Sequence, residues 1–287
     1  MQAKKSFGQH FLNRPDIAEA IAQSLTHIHN TPRVLEVGPG QGMLTNFLIK
    51  RQNTEPFGFV AVEADKDMVS LLNKNYPLTP PNPNPENSGG ISPLSINAEQ
   101  QGVKVLFEDF MKTDLTRVFD GQPFCLIGNF PYNISSQILF KMVDNRTLIP
   151  EMVGMFQKEV ADRVVSKPGG KVYGIISVLI QAFYEGKTII DVDKSCFTPP
   201  PKVQSSVIRL VRKENQDLGC DEKLFKQVVK QAFSQRRKML RNTLKPFFLK
   251  DPSVLTDDFY MRRPETLSLE EYIKLTQQIE KLSAHND

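Results

Sequence analysis

Glu36-Val37-Gly38-Pro39-Gly40-Gln41-Gly42 is the stretch that decides the fold. It joins an apolar run, Val34-Leu35-Glu36-Val37, which reads as a strand, to Met43–Lys50, which reads as a helix. Glycines at such a junction allow backbone conformations closed to other residues and let a ligand approach the chain. The spacing is G-x-G-x-G. A dinucleotide fingerprint needs its third glycine one place later, where this chain has Met43, so a nicotinamide cofactor is disfavoured. Outward from the loop the same alternation continues. Phe59–Val62 reads as a second strand with Asp67–Asn73 as its helix, and Val103–Phe107 as a third strand. Phe124–Ile127, Met152–Phe156, Lys187–Val192 and Gln204–Val211 complete seven candidates. Strands alternating with helices predict an α/β fold built on a parallel sheet.

The 287 residues suit one large domain, or a large and a small one. With 40% hydrophobic and 24% charged residues, the composition is that of a globular protein and excludes wholesale disorder. No apolar run approaches the ~18–20 residues of a spanning helix, and no membrane association is expected. The first 30 residues carry Lys4, Lys5 and Arg14 without an unbroken apolar core, so no secretory signal is expected. Cys125, Cys196 and Cys220 match neither a disulfide framework nor a zinc ribbon. No metal site is therefore expected, and a reducing cytoplasm is the simplest compartment.

Two segments break the α/β rhythm. Pro77–Gly102 holds six prolines and four asparagines but no Lys or Arg. Proline removes amide donors and fixes φ, so this stretch reads as a surface insertion. After Val211, Leu224, Phe225, Val228, Val229, Ala232 and Phe233 recur at helical spacing, with Lys223, Lys226 and Lys230 on the other face. Further amphipathic helices follow, one of them starting at Ser268-Leu269-Glu270-Glu271. A small helical domain is expected from residue 215. Between Asp221 and Lys250 nine Lys/Arg face two acids, a local +7 that leaves the rest of the chain at −3 against an overall +4. Such a block is the footprint of a polyphosphate partner; a solvated helix face is the plain alternative.

The chemistry lies at the strand ends. An acid two residues before G-x-G-x-G resembles the S-adenosylmethionine loop of class I methyltransferases. Glu63 ends the second strand, 25 residues after Gly38, where a carboxylate can accept from both ribose hydroxyls. Asp109, after the third strand, could accept from an adenine amino group. After the fourth strand stands Asn129-Phe130-Pro131-Tyr132. Adenine's exocyclic amine is a poor nucleophile because its lone pair is delocalised into the ring. The Asn129 side-chain oxygen and the Pro131 carbonyl can each accept one of its hydrogens, favouring a pyramidal nitrogen. Positioning and electrostatics then supply the catalysis. Tyr132 would stack on a base taken out of its helix or loop.

Five further segments occur in order with these: Lys5-Ser6-Phe7-Gly8-Gln9-His10-Phe11-Leu12, Asn129–Asn133, Phe197-Thr198-Pro199-Pro200-Pro201-Lys202-Val203-Gln204-Ser205, Phe233-Ser234-Gln235-Arg236-Arg237-Lys238 and Arg263-Pro264-Glu265-Thr266-Leu267-Ser268. Together with the glycine loop they resemble the small-subunit ribosomal RNA adenine dimethyltransferases (the KsgA type) over nearly the whole chain. The resemblance implies a Rossmann-like class I methyltransferase with a seven-stranded sheet over residues 1–214. It also implies a small all-helical RNA-binding domain over 215–287, with 77–102 as a proline-rich insertion. It further implies S-adenosylmethionine as cofactor, bound by His10, Leu12, Gly38, Gly40, Glu63, Asp109 and Asn129. Asn129, Pro131 and Tyr132 would be catalytic. Tyr132, Phe197 as a second aromatic wall, Arg236, Arg237 and Lys238 would bind substrate. His10 stands where many relatives have Asn, and the insertion carries no motif of the family.

The implied reaction places two methyls on each of two adjacent adenosines near the 3′ end of small-subunit rRNA. The chain is expected to act as a monomer on rRNA within a pre-assembled subunit, with a role in subunit biogenesis. Two rivals share some of these features. A large-subunit rRNA adenine methyltransferase of the antibiotic-resistance type would share the glycine loop and Asn129–Tyr132, but Phe233–Lys238 and Arg263–Ser268 argue against it. A non-catalytic assembly factor would not need intact Glu63, Asp109 and Asn129.

Overall fold

The computed structural model describes residues 10–79 and 100–284. Lys5–Gln9 of the amino-terminal motif and residues 80–99 of the proline-rich insertion lie outside the described residues. Two short strands, β1 (Phe11–Leu12) and β8 (Phe197–Thr198), pair antiparallel outside the main sheet. All seven candidate strands form and lie in that sheet: β2 (Arg33–Val37), β3 (Gly58–Glu63), β4 (Lys104–Phe107), β5 (Cys125–Asn129), β6 (Glu151–Gln157), β7 (Tyr184–Val192) and β9 (Ser205–Arg212). The helices are α1 (Pro15–Gln23), α2 (Met43–Gln52), α3 (Lys66–Asn75), α4 (Ser135–Asp144), α5 (Lys158–Val165), α6 (Ile175–Gln181), α7 (Glu222–Ala232), α8 (Leu240–Thr243) and α9 (Leu269–Ala284).

The strand order is β4-β3-β2-β5-β6-β9-β7. β2 runs parallel to β3 on one side, with Val34 opposite Phe59, and parallel to β5 on the other, with Val34 opposite Cys125. The chain therefore steps outward from β2 to β3 and β4, then returns to place β5 on the other side of β2. That reversal opens a crevice between the carboxyl ends of β2 and β5, where open α/β sheets bind ligands. The glycine loop follows β2 and Asn129 ends β5, so topology brings the two motifs together. β9 runs antiparallel to β6, with Gln157 opposite Ser205, and so returns Ser205 to the same end of the sheet.

The inner strands are buried along their length because helices cover parallel sheets on both faces. β3 has no exposed residue, and β5 is buried from Cys125 to Gly128. On one face Ile17, Ile21, Ala22, Leu44 and Leu48 of α1 and α2 pack on Val34, Phe59, Ala61 and Ile127. At the other end of β6 the buried Glu151 carboxylate accepts from the backbone N–H groups of Thr26 and His27, each at 2.8 Å, and ties the segment after α1 to the sheet. Asp65 caps α3 by accepting from Asp67 N at 3.0 Å.

The chain divides into two compact units, one of residues 1–161 and 186–212, the other of 162–185 and 213–287. The expected boundary at 215 falls two residues late, and the smaller unit also takes Asp162–Glu185, which the sequence pattern assigns to the larger one. Long-range pairing within the smaller unit is the reason: Gly169 N donates to Glu265 O at 2.7 Å and Lys213 N to Phe183 O at 2.9 Å. Ser268 and Glu271 form the expected helix start, exchanging backbone and side-chain hydrogen bonds at 3.2 and 2.8 Å. Arg236-Arg237-Lys238 does not continue a helix. α7 ends at Ala232, a 3-10 turn spans Phe233–Gln235, and the three cations occupy the turn that follows. The Ser234 hydroxyl donates back to Gln231 O at 2.7 Å, competing with the helix ladder.

Candidate active site

A cavity of about 640 Å³ opens at the β2/β5 crevice. Of the residues singled out in the sequence, His10, Leu12, Gly38, Gly40, Glu63 and Asp109 line it, and so do Asn129, Pro131 and Tyr132. Its size suits a nucleoside-sized ligand together with a base.

The glycine loop is built for close approach. Gly40 has φ +56, and a Cβ on it would stand 3.0 Å from the Phe11 ring. Its N–H donates to Glu63 Oε2 at 3.0 Å, while Glu63 Oε1 accepts from Asp65 N at 2.9 Å. Burial raises the Glu63 pKa, and those backbone N–H groups pull it down. A carboxylate offers about four acceptor positions, so capacity remains for a ligand hydroxyl. Glu36 lines the same cavity at 1% exposure and accepts from Thr45 Oγ1 at 2.7 Å. Burial pushes its pKa up to about 8; the Thr45 hydroxyl opposes the rise and the Glu63 charge adds to it. Asp109 is exposed at the rim, where Oδ1 accepts from Met111 N at 2.9 Å. The loop that carries it is held by Lys141, whose Nζ donates to Phe110 O and Thr113 O, each at 2.6 Å.

Around Asn129 the chain is over-determined. Phe130 is buried against Phe156, with ring centroids 5.0 Å apart. A Cβ on Gly154 of β6 would stand 2.2 Å from the Phe130 ring, so the anchor needs glycine there. The Asn129 Nδ2 donates to the His10 carbonyl at 3.1 Å. This bond engages the amino end of the amide and leaves Oδ1 as the acceptor. The Pro131 carbonyl already accepts from Ser135 Oγ at 3.2 Å and from Ile134 N at 3.3 Å, so an incoming amine must displace the rotatable Ser135 hydroxyl. Tyr132 is fixed at both ends. Its hydroxyl shares a 2.5 Å hydrogen bond with Ser205 Oγ, and its ring stacks with the His10 imidazole, centroids 5.5 Å apart at 26°. His10 Nδ1 lies 2.8 Å from Pro199 O.

Phe197 departs from the sequence expectation of a second aromatic wall. It is 2% exposed, opposite Leu12 in the β1–β8 pair, and packs in the core with Leu12, Cys196 and Val207 rather than lining the cavity. The ring that faces Tyr132 is His10, a pairing with no signature in the sequence. Lys141, Ser135 and Ser205 are site residues that the sequence does not mark, whereas Glu36, the acid two residues before the glycines, does line the cavity. Arg236, Arg237 and Lys238 belong to the smaller unit, where Arg237 and Lys238 are exposed and Arg236 Nη2 donates to Gly170 O at 3.1 Å. Among the described residues no three His, Cys, Asp or Glu gather to hold a metal, and no helix is long and apolar enough to cross a membrane.

The seven-stranded sheet, with its glycine loop at the topological switch point and a following helical region, defines a Rossmann-like class I methyltransferase fold. The family model described as ribosomal RNA adenine dimethylase matches residues 1–87 and 90–262, and the chain belongs to that family. Ribosomal RNA small subunit methyltransferase A of Bacteroides fragilis is 46% identical over 281 residues, covering 98% of this chain and 93% of that protein. The protein of the same name from Flavobacterium johnsoniae is 45% identical over 280 residues, with 98% and 97% covered. A dimethyladenosine transferase from Plasmodium falciparum shares the fold with a TM-score of 0.71 at 22% identity, covering 96% of this chain and 98% of that one. The 23S rRNA methyltransferase ErmE does so with 0.64 at 20%, covering 94% and 99%.

Proposed function

We propose that this protein is an rRNA (adenine-N6,N6)-dimethyltransferase that uses S-adenosylmethionine to dimethylate two adjacent adenosines in the 3′-terminal hairpin of small-subunit rRNA. The observation that carries the reading is the meeting of the glycine loop and Asn129–Tyr132 on one cavity. The near-full-length similarity to small subunit methyltransferases A supports the choice of rRNA. The cavity suits the cofactor chemically, since it is lined by the Glu63 carboxylate, which can accept from a ribose, and by the Glu36 carboxyl, which can accept from an amino group. S-adenosylmethionine bound there supplies an electrophilic methyl on a sulfonium.

His10, Leu12, Gly38 and Gly40 would border the cofactor, with Glu63 on its ribose and Asp109 on its adenine amine. Asn129 Oδ1 would accept one hydrogen of the target amine and the Pro131 carbonyl, freed of Ser135, the other. Held this way, the nitrogen lone pair is directed out of the ring plane, and the released proton passes to water. Tyr132 would hold the base by its ring, because its hydroxyl is committed to Ser205. The exposed Arg237 and Lys238 would meet rRNA phosphates, with Arg236 holding the Gly170 turn beside them, so the smaller unit serves as the RNA-binding one. We place the reaction in the cytoplasm, by a monomer, on rRNA within a partly assembled subunit.

Mass spectrometry of rRNA nucleosides from a strain lacking this protein tests the reading. Dimethyladenosine should disappear from small-subunit rRNA. Its persistence there, or its loss from large-subunit rRNA instead, would overturn the assignment.

A further inference from the structure

In the smaller unit the sequence Lys167-Pro168-Gly169-Gly170-Lys171 forms a tight turn with a lysine at each end. Pro168 presets φ for the second position of such a turn, and Gly169, with φ +97, takes the third. Composition alone marks this as an ordinary mobile loop, yet it is held at every level. The Gln181 side chain donates to Ser166 O at 2.8 Å, and Ser166 Oγ lies 3.1 Å from Ser177 Oγ. Gly169 N donates to Glu265 O at 2.7 Å, and Gly170 O accepts from Arg236 Nη2 at 3.1 Å. At its far end Tyr173 is fully buried, its ring centroid 6.4 Å from that of Phe233.

These bonds bring the turn beside the Arg236–Lys238 segment. Lys167, Lys171, Arg237 and Lys238 are exposed, and none has an ion-pair partner among the described residues. Glu271 pairs with Arg262, and Glu270 accepts from the Ser268 hydroxyl at 2.8 Å. Four cations without an ion-pair partner among the described residues, from two distant stretches of chain, thus stand on a fixed frame. Neutral surface packing needs no such fixing. For a polyanion it reduces the ordering cost on binding, since the frame is set before the partner arrives.

We infer that the Lys167–Lys171 turn and Arg237-Lys238 form one phosphate-binding surface for RNA, with Arg236 as the positioning strut between them. The inference rests on the RNA-binding reading above and extends it to a segment that reading did not include. The measurement is the affinity of the full-length protein for a small-subunit 3′-hairpin RNA across several salt concentrations. Wild type would be compared with Lys167→Gln/Lys171→Gln and with Arg237→Gln/Lys238→Gln. Circular dichroism checks folding, which substitutions at exposed side chains leave intact.

Each cation withdrawn from a phosphate should flatten the log–log slope by ~0.7–0.9, so each double variant should flatten it by roughly 1.4–1.8. Arg236→Lys keeps the charge but loses the planar fork; it should weaken binding several-fold with little change in slope. If the lysine-turn variant keeps the wild-type slope while Arg237→Gln/Lys238→Gln flattens it, the turn is not part of the surface and only this inference fails. If neither variant changes the slope, RNA binding by this unit fails with it. Wild-type affinity in Arg236→Lys would overturn the strut.

Discussion

Replacing Glu36 with Gln should make the protein more stable at alkaline pH and change how its stability depends on pH. Glu36 is buried at 1% exposure, and burial raises its pKa to about 8 from an ordinary 4.5. The folded state therefore holds a proton that the unfolded chain releases above pH 4.5. Stability from this group is complete below that pH and is lost as pH rises toward 8. A difference of about 3.5 units at 1.36 kcal/mol each sets a ceiling of about 5 kcal/mol, of which roughly 3–4 is lost between pH 5 and 8. Gln keeps the shape and still accepts from the Thr45 hydroxyl through its carbonyl oxygen, but it does not titrate. At about 2–4 °C per kcal/mol for a chain of this size, the melting temperature of the variant relative to wild type should rise by about 6–16 °C between pH 5 and pH 8. Thermal unfolding followed by circular dichroism at half-unit pH steps measures it. Parallel curves for the two proteins would show that Glu36 stays ionised in the fold, and the account of the cavity floor as a neutral carboxyl would fall.

Three further predictions concern the chemistry. Asn129→Ala should leave RNA affinity near wild type while turnover falls by about 10²–10³, and single-turnover methylation retaining more than a tenth of the rate would make Asn129 structural. Glu63→Ala should weaken S-adenosylmethionine binding, at roughly 1.5–3 kcal/mol per hydrogen bond removed from the carboxylate, and should free the Gly40 N–H; unchanged calorimetric affinity in a folded variant would remove Glu63 from the cofactor site. Tyr132→Phe should keep most of the turnover and Tyr132→Ala little, because the ring is the working part and the hydroxyl is bonded to Ser205; equal losses in steady-state assays would assign the hydroxyl a direct role.

Every strand of the sheet is legible in the sequence, because each carries a short apolar run bounded by breakers. The ends are less so: β7 starts at Tyr184, three residues before the apolar run that marks it, since Glu185 and Gly186 interrupt the pattern. Among the described residues the cavity lining is legible where a motif sits on a strand end, as with Gly38, Glu63 and Asn129. It is misleading where a distant pairing decides the outcome. Phe197 belongs to an aromatic-proline motif, and only its place opposite Leu12 turns the ring inward. The Asp162–Glu185 segment joins the smaller unit through backbone bonds to residues such as Glu265, which leave no local trace in composition. His10 reads as a cofactor neighbour, while its ring is spent on Tyr132 and its carbonyl on Asn129.

The two-residue ladder between β1 and β8 has a thermodynamic consequence. β1 is fastened by few bonds: its short pairing with Phe197–Thr198, Asn13 N on Cys196 O at 2.9 Å and Asn13 Nδ2 on Thr198 Oγ1 at 3.1 Å. The His10 carbonyl, one residue before β1, is also what orients the Asn129 amide. Any excursion that lifts β1 and exposes the cavity breaks that bond in the same motion, and the amide is then free to rotate. Lifting β1 would thus release the Asn129 amide from the orientation that the His10 carbonyl gives it.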